Sequence, residues 1–146
     1  MNKQSTMETL IELATEEVEK ATLRLGQSIR TGSDAEQKLA MLIQYREDYQ
    51  ARFQESQQTG LTASGLRNFR LFMDRLDQAI IGQQQIVNNA QKRIDEDKSN
   101  WQASERKRVS FDTLATRAQK AAQKKEDKIE QKKMDEFASR ALRYKQ

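Results

Sequence analysis

A seven-residue repeat constrains this chain more than any other feature. One set of positions reads Ile11, Val18, Leu25, Gly32, Leu39, Arg46 and Phe53, and a second reads Ala14, Ala21, Ser28, Ala35, Leu42 and Tyr49. Counting Ala and Tyr, ten of these 13 residues are apolar. An apolar period of 3.5 sustained from Ile11 to Phe53 makes one continuous stripe on a helix, which is the seam of a coiled coil. Just ahead of it, Ser5-Thr6-Met7-Glu8 fits a capping box, with Ser5 covering an orphan N–H and Glu8 reaching back to it. The pattern predicts a first helix over 5–57.

The repeat stops in Gln57-Gln58-Thr59-Gly60-Leu61-Thr62-Ala63-Ser64-Gly65, and the chain has no other comparable break. Gly60 suits the left-handed position that closes a helix, and Thr62 or Ser64 suits the cap of the next. A turn is expected over 58–65. A second repeat follows, in which Met73, Ile80, Val87, Ile94, Trp101, Arg108, Ala115 and Ala122 alternate with Phe69, Leu76, Gln83, Ala90, Asp97, Ser104, Phe111 and Ala118. Twelve of these 16 are apolar; Gln83, Asp97, Ser104 and Arg108 interrupt the seam. The second helix is expected over 66–142. The fold class is therefore all-α: a single helical-hairpin domain, 1–146, of two long helices in an antiparallel coiled coil, the C-terminal one longer.

A short turn makes the two helices antiparallel neighbours. Folding about residue 61 sets residue i opposite roughly 122 − i. Trp101 then faces Ala21, Ile94 faces Ser28, Val87 faces Ala35 and Ala90 faces Gly32, so large repeatedly opposes small. The first helix runs out opposite residue 117. A C-terminal extension over 118–146 is left over, on the order of 40 Å of helix at about 1.5 Å per residue.

Composition narrows the function classes. The chain has 146 residues with no proline, no cysteine and no histidine. Those absences exclude zinc fingers, disulfide frameworks, Cys or Ser–His triads and His-ligated metal. No apolar run approaches the ~20 residues of a membrane span. Leu, Ile, Val and Phe supply only 28 residues, too few for a large globular core. The expectation is a cytoplasmic protein with no catalytic residues, no metal and no cofactor. Enzyme function is disfavoured because a two-helix seam offers no cleft that holds paired groups out of water.

Charge is unevenly placed. Residues 117–146 carry ten Lys and Arg against five Asp and Glu, whereas residues 1–116 carry 16 against 17. The whole positive excess lies on the expected extension, in Arg117, Lys120, Lys124, Lys125, Lys128, Lys132 and Lys133. Either this is a solvated helix with i,i+4 pairs, or it contacts an acidic partner surface. Nucleic acid is disfavoured, since no aromatics interleave with the basic residues. Membrane contact is disfavoured too, because Ala118, Ala121, Ala122 and Ile129 make a slight apolar face.

Near the turn there is more apolar surface than one seam uses. Leu39, Met41, Leu42, Ile43, Tyr45, Tyr49 and Phe53 stand on one side of it. Leu66, Phe69, Leu71, Phe72, Met73, Leu76, Ala79, Ile80 and Ile81 stand on the other. Leu42, Tyr45 and Tyr49 share a face, as do Phe72, Leu76 and Ala79. The surplus is either a locally widened core or an exposed patch for a partner. Tyr45, Phe72 and Ala79, off the seam, fit the patch best.

The string Gln131-Lys132-Lys133-Met134-Asp135-Glu136-Phe137-Ala138, with Arg140 and Ala141, resembles the C-terminal signature of the flagellar export protein FliJ family. Leu10 to Gly26, Met41-Leu42-Ile43 with Tyr45 and Tyr49, and Phe72, Leu76, Ala79 and Ile80 match in spacing. The resemblance covers essentially the whole chain. It implies an antiparallel coiled coil of the flagellar type III export apparatus, similar to the rotor stalk of F-type ATPases. It implies three partners: the export ATPase FliI, whose ring assembly the stalk end promotes; the cytoplasmic domain of the export gate protein FlhA; and export chaperones. Location would be cytoplasmic, peripheral at the inner membrane, without insertion into it. Carried over by position, the gate-binding residues are Lys38, Leu42, Tyr45, Tyr49, Phe72, Leu76, Ala79 and Gln83. From the C-terminal string, Lys132, Lys133, Met134, Phe137 and Arg140 are read as the ATPase contacts. The competing reading is a general helical-hairpin chaperone or scaffold with no ATPase partner.

Overall fold

The computed structural model describes residues 3–145, with side chains from Ser5. It contains two helices, α1 (Lys3–Thr59) and α2 (Ala63–Tyr144), of 57 and 82 residues. As the repeats predict, the fold is all-α with the longer helix second. The chain divides into two compact units, residues 19–102 and the paired ends 1–18 with 103–146.

Within residues 19–102 the helices form an antiparallel hairpin. Gly60 has φ +94°, the left-handed conformation that ends α1 without steric cost to a residue lacking Cβ. Its N–H bonds the Gln57 carbonyl at 3.4 Å. Thr62 caps α2: its Oγ1 accepts from the Gly65 N–H at 3.1 Å, three residues on, as an N-cap side chain does. Ser64 lies one turn-position inside the helix and bonds Thr62 Oγ1 at 3.3 Å instead. The connection is thus Gly60-Leu61-Thr62 rather than the expected 58–65. Ala63, Ser64 and Gly65 are taken into the first turn of α2 once Thr62 supplies the cap.

The register falls close to the sequence expectation. A Cβ built on Gly32 would meet Ile94 Cδ1 at 2.8 Å and Ala90 Cβ at 4.0 Å, so the large side chain occupies the space the glycine leaves. Trp101 Nε1 donates to Thr22 Oγ1 at 3.0 Å, beside the expected Ala21. Ser28 takes Asp97, one turn from the Ile94 that backbone levels place opposite it. The reason is side-chain tilt: each Cα–Cβ bond leans toward its own helix N-terminus, so in an antiparallel pair Ser28 and Asp97 lean toward each other.

Every seam position of α1 is buried or half-buried, including the interruptions. The core is small-sided, with Ala21, Ala35, Met73 and Leu76 buried in the hairpin and Ala14 in the unit of paired ends. Each charged or amide interruption finds a partner. Gln83, buried, donates to the Ala35 carbonyl at 3.0 Å. Arg46 bonds Asp77 across the seam at 2.5 Å, and that carboxylate holds the guanidinium pKa above its ordinary value. Asp97 accepts from Ser28 and stands 3.5 Å from Arg93.

In the unit of paired ends, Ala14 is buried, and Ile11, Val18, Ser104, Arg108 and Phe111 are half-buried. Arg108 is satisfied on its own helix by Glu105 at 2.5 Å and Asp112 at 2.9 Å. The Glu105 carboxyl is held below the ordinary glutamate range, chiefly by that hydrogen bond from Arg108. Lys107 reaches Glu17 at 3.5 Å. Helix α1 starts at Lys3, so Ser5 and Glu8 lie inside it rather than forming its cap, and the Ser5 carbonyl accepts from Thr9 at 2.9 Å. The seam of α2 ends at Ala115. Every described residue from Thr116 to Lys145 is exposed, Ala118 and Ala122 included.

Candidate functional site

Two surfaces stand out, one in each unit. In the hairpin, five rings cluster beside the turn. Phe53 stacks on Phe69 at 3.6 Å between centroids, Tyr49 stacks on Phe69 at 5.5 Å, and Tyr49 lies tilted on Phe72 at 4.4 Å. Tyr45 meets Phe72 edge-on at 6.0 Å and stacks with Tyr49 at 6.5 Å. The edge-on Tyr45–Phe72 pair has the geometry that ring quadrupoles favour. Yet none of the five rings is buried: Tyr49, Phe53, Phe69 and Phe72 are half-buried, and Tyr45 is 49% exposed. With only two helices, the cluster lacks a layer above it.

The eight turn-side positions divide by depth. Lys38, Tyr45 and Ala79 are exposed, and Leu42, Tyr49 and Phe72 are half-buried. Leu76 and Gln83 are buried in the seam. The first six make an accessible face on one flank of the hairpin, and the last two pack beneath it. The heptad assigns this division directly, since 76 and 83 are seam positions. Phe53 and Phe69 extend the ring cluster toward the turn; their seam positions carried the signal. Of the apolar surplus, Met41 (71% exposed), Ile43, Leu71 and Ile81 are exposed, so the surplus is surface rather than a third layer.

The second surface is the unpartnered end of α2. Lys132, Lys133 and Arg140 are exposed, as are Met134 at 69% and Phe137 at 75%. Met134, Phe137, Ala138 and Ala141 fall at i, i+3, i+4 and i+7, and so share one side of the helix. Exposed Tyr144 follows on that side, and Lys133 and Arg140 border it. An apolar stripe edged by cations, with nothing packed on it, offers area to desolvate and charge to steer an acidic partner. Sequence reading found these residues through the C-terminal string; the stripe emerges once helicity through Tyr144 is established.

Among the described residues, no group of His, Cys, Asp and Glu is placed to hold a metal ion, and no helix is long and apolar enough to cross a membrane.

Comparison with known proteins gives one consistent result. The family model described as "Flagellar FliJ protein" matches residues 3–146. The Escherichia coli (strain K12) flagellar FliJ protein is 33% identical over 141 residues, 97% of this chain and 96% of the relative. That of Salmonella typhi is 31% identical over 141 residues, with the same coverage of both chains.

Proposed function

This chain belongs to the flagellar FliJ protein family, and from that premise we propose that it is a non-enzymatic coupling and assembly factor of the flagellar protein export apparatus. Its unpartnered C-terminal arm engages the export ATPase FliI and promotes assembly of the ATPase ring. Its turn-side face docks on the cytoplasmic domain of the gate protein FlhA, and the chain also handles export chaperones. It works in the cytoplasm, at the inner face of the membrane that holds the gate.

The observation that carries the reading is the arm. From Thr116 onward no described residue is covered, yet the stretch keeps Met134 and Phe137 on one side with Lys133 and Arg140 beside them. Large apolar side chains kept in solvent on a highly charged helix are explained by a partner that covers them. Lys132, Lys133, Met134, Phe137 and Arg140 supply the contact. At the gate, Tyr45, Phe72 and Ala79 present area directly, with Lys38, Leu42 and Tyr49 beside them. Leu76 and Gln83 act from beneath by fixing the helix that carries Phe72 and Ala79.

Deletion of residues 120–146 tests the arm. The hairpin of residues 19–102 makes no use of that segment for its turn, core or polar pairs, so helicity per remaining residue should be kept. Stimulation of the purified ATPase should be lost. Unchanged stimulation would reject the assignment and favour the scaffold without an ATPase partner.

A further inference from the structure

On the same flank of the hairpin as Tyr45 and Phe72 lies a notch of about 280 Å³, lined by Arg24, Gln27, Ser28, Thr31, Ala90, Arg93 and Asp97. The flank is defined by the residue preceding each member of the first set of seam positions in either helix. On α1 these are Arg24, Thr31, Lys38 and Tyr45; on α2 they are Phe72, Ala79, Ile86 and Arg93. In an antiparallel pair the two rows run side by side, and opposite members meet across the seam edge. Tyr45 meets Phe72 in this way. The same spacing sets Arg24 against Arg93.

Such edge positions normally carry opposite charges, because like charges facing each other are destabilising. Here two arginines line one notch. Asp97 relieves only one of them: it stands 3.5 Å from Arg93 and is already bonded to Ser28. No ion pair of Arg24 occurs among the described residues, and both arginines reach solvent. The small side chains of Ala90 and Ser28 keep the notch open. About 15 residues, or roughly 20 Å at ~1.5 Å per residue, separate it from Tyr45. Lys38 and half-exposed Ile86 lie between, and neither row contains an acidic side chain, although Asp34 and Glu96 stand one helical turn from row members.

We infer that the notch receives a carboxylate from an aspartate or glutamate of the protein that docks on the Tyr45–Phe72 face. The inference rests on the gate-docking reading above and extends its footprint along the flank. The planar fork of Arg24 suits a carboxylate in two-point contact, and a carboxylate between Arg24 and Arg93 removes their mutual repulsion. Apolar anchoring at one end and an ion pair at the other would fix the direction in which the partner lies along the hairpin.

The test measures binding of the purified FlhA cytoplasmic domain to the full-length chain by calorimetry, at low and at physiological salt. Arg24→Gln should weaken binding about 5–10-fold at low salt and less at physiological salt, as expected for a partly exposed charge contact. Arg24→Glu is the sharper variant. Its introduced carboxylate can pair with Arg93, so it should raise the melting temperature while weakening binding by more than Arg24→Gln. A role confined to folding moves both readings together, so a lowered melting temperature would overturn the inference. Unchanged affinity in both variants would overturn it as well. In that event, loss of binding in Tyr45→Ala with Phe72→Ala would leave the docking face standing. If the unaltered chain fails to bind the domain, the face reading falls and the notch falls with it.

Discussion

Ser28 donates a hydrogen bond to Asp97 across the seam, and both residues are buried. This polar layer sits where aliphatic pairs would bury more apolar area. Its stability is lost asymmetrically. Ser28→Ala leaves a buried carboxylate short of one donor and should cost about 1–3 kcal/mol in chemical denaturation. Ser28→Ala with Asp97→Leu should recover most of that cost, because both polar partners are gone. It should also loosen the register, since a single buried polar pair penalises slipped alignments. A disulfide between Ala21→Cys and Trp101→Cys reports this: it should form more slowly in the double-aliphatic background than in the native one.

The accessible face and the seam beneath it should separate under substitution. Tyr45→Ala with Phe72→Ala should reduce affinity for the gate domain while helicity by circular dichroism stays close to native. Leu76→Ala removes a buried side chain and should cost about 2–4 kcal/mol in urea denaturation. A melt that collapses in the Tyr45/Phe72 pair would move those rings into the core.

Glycine positions give opposite signs. Gly26 and Gly82 lie mid-helix with nothing within 4 Å of an added Cβ, so alanine at each should stabilise by roughly 0.5–1 kcal/mol through helix propensity. Gly60→Ala forces a side chain into φ +94° and should destabilise by about 1 kcal/mol. Gly32→Ala meets Ile94 Cδ1 at 2.8 Å, so its propensity gain should appear only in an Ile94→Val background, where that methyl is absent. Thermal melts of the five variants check the set.

The pH response on the acid side has a local contributor. Arg108 holds the Glu105 carboxyl below its ordinary pKa. A carboxylate depressed in the folded state adds stability that is full above the unfolded pKa and vanishes as pH falls through the folded one. The melting-temperature difference between the native chain and Glu105→Gln should therefore be present at neutral pH and close on acidification. Arg108 and Arg46 are shifted upward and contribute nothing variable over that range.

The heptad made most of this fold legible, because a 3.5-residue stripe leaves two helices one way to hide it. Burial followed the seam even where polar residues broke it: Gln83 and Asp97 are interior because of their positions, and their partners Ala35 and Ser28 are on the facing stripe. Ends were less legible. The Ser5–Glu8 box is worth about 1 kcal/mol at a terminus, yet the helix continues past it to Lys3. Thr62 and Ser64 are equivalent in type, and only the Gly65 N–H decides between them. At the candidate site, type and spacing marked Tyr45 and Phe72. The notch escaped notice because Arg24 and Arg93 are 69 residues apart and become neighbours only through the register.

The uncovered stretch after Ala115 also sets how its amide protons behave. With no neighbour to hold it, each hydrogen bond there opens by local fraying, so deuterium should enter those amides while the hairpin amides still wait for global opening. Any molecule that seats on the stripe from Met134 to Tyr144 slows that uptake at once. The arm thereby carries its own occupancy reporter, readable without an attached probe or an activity assay.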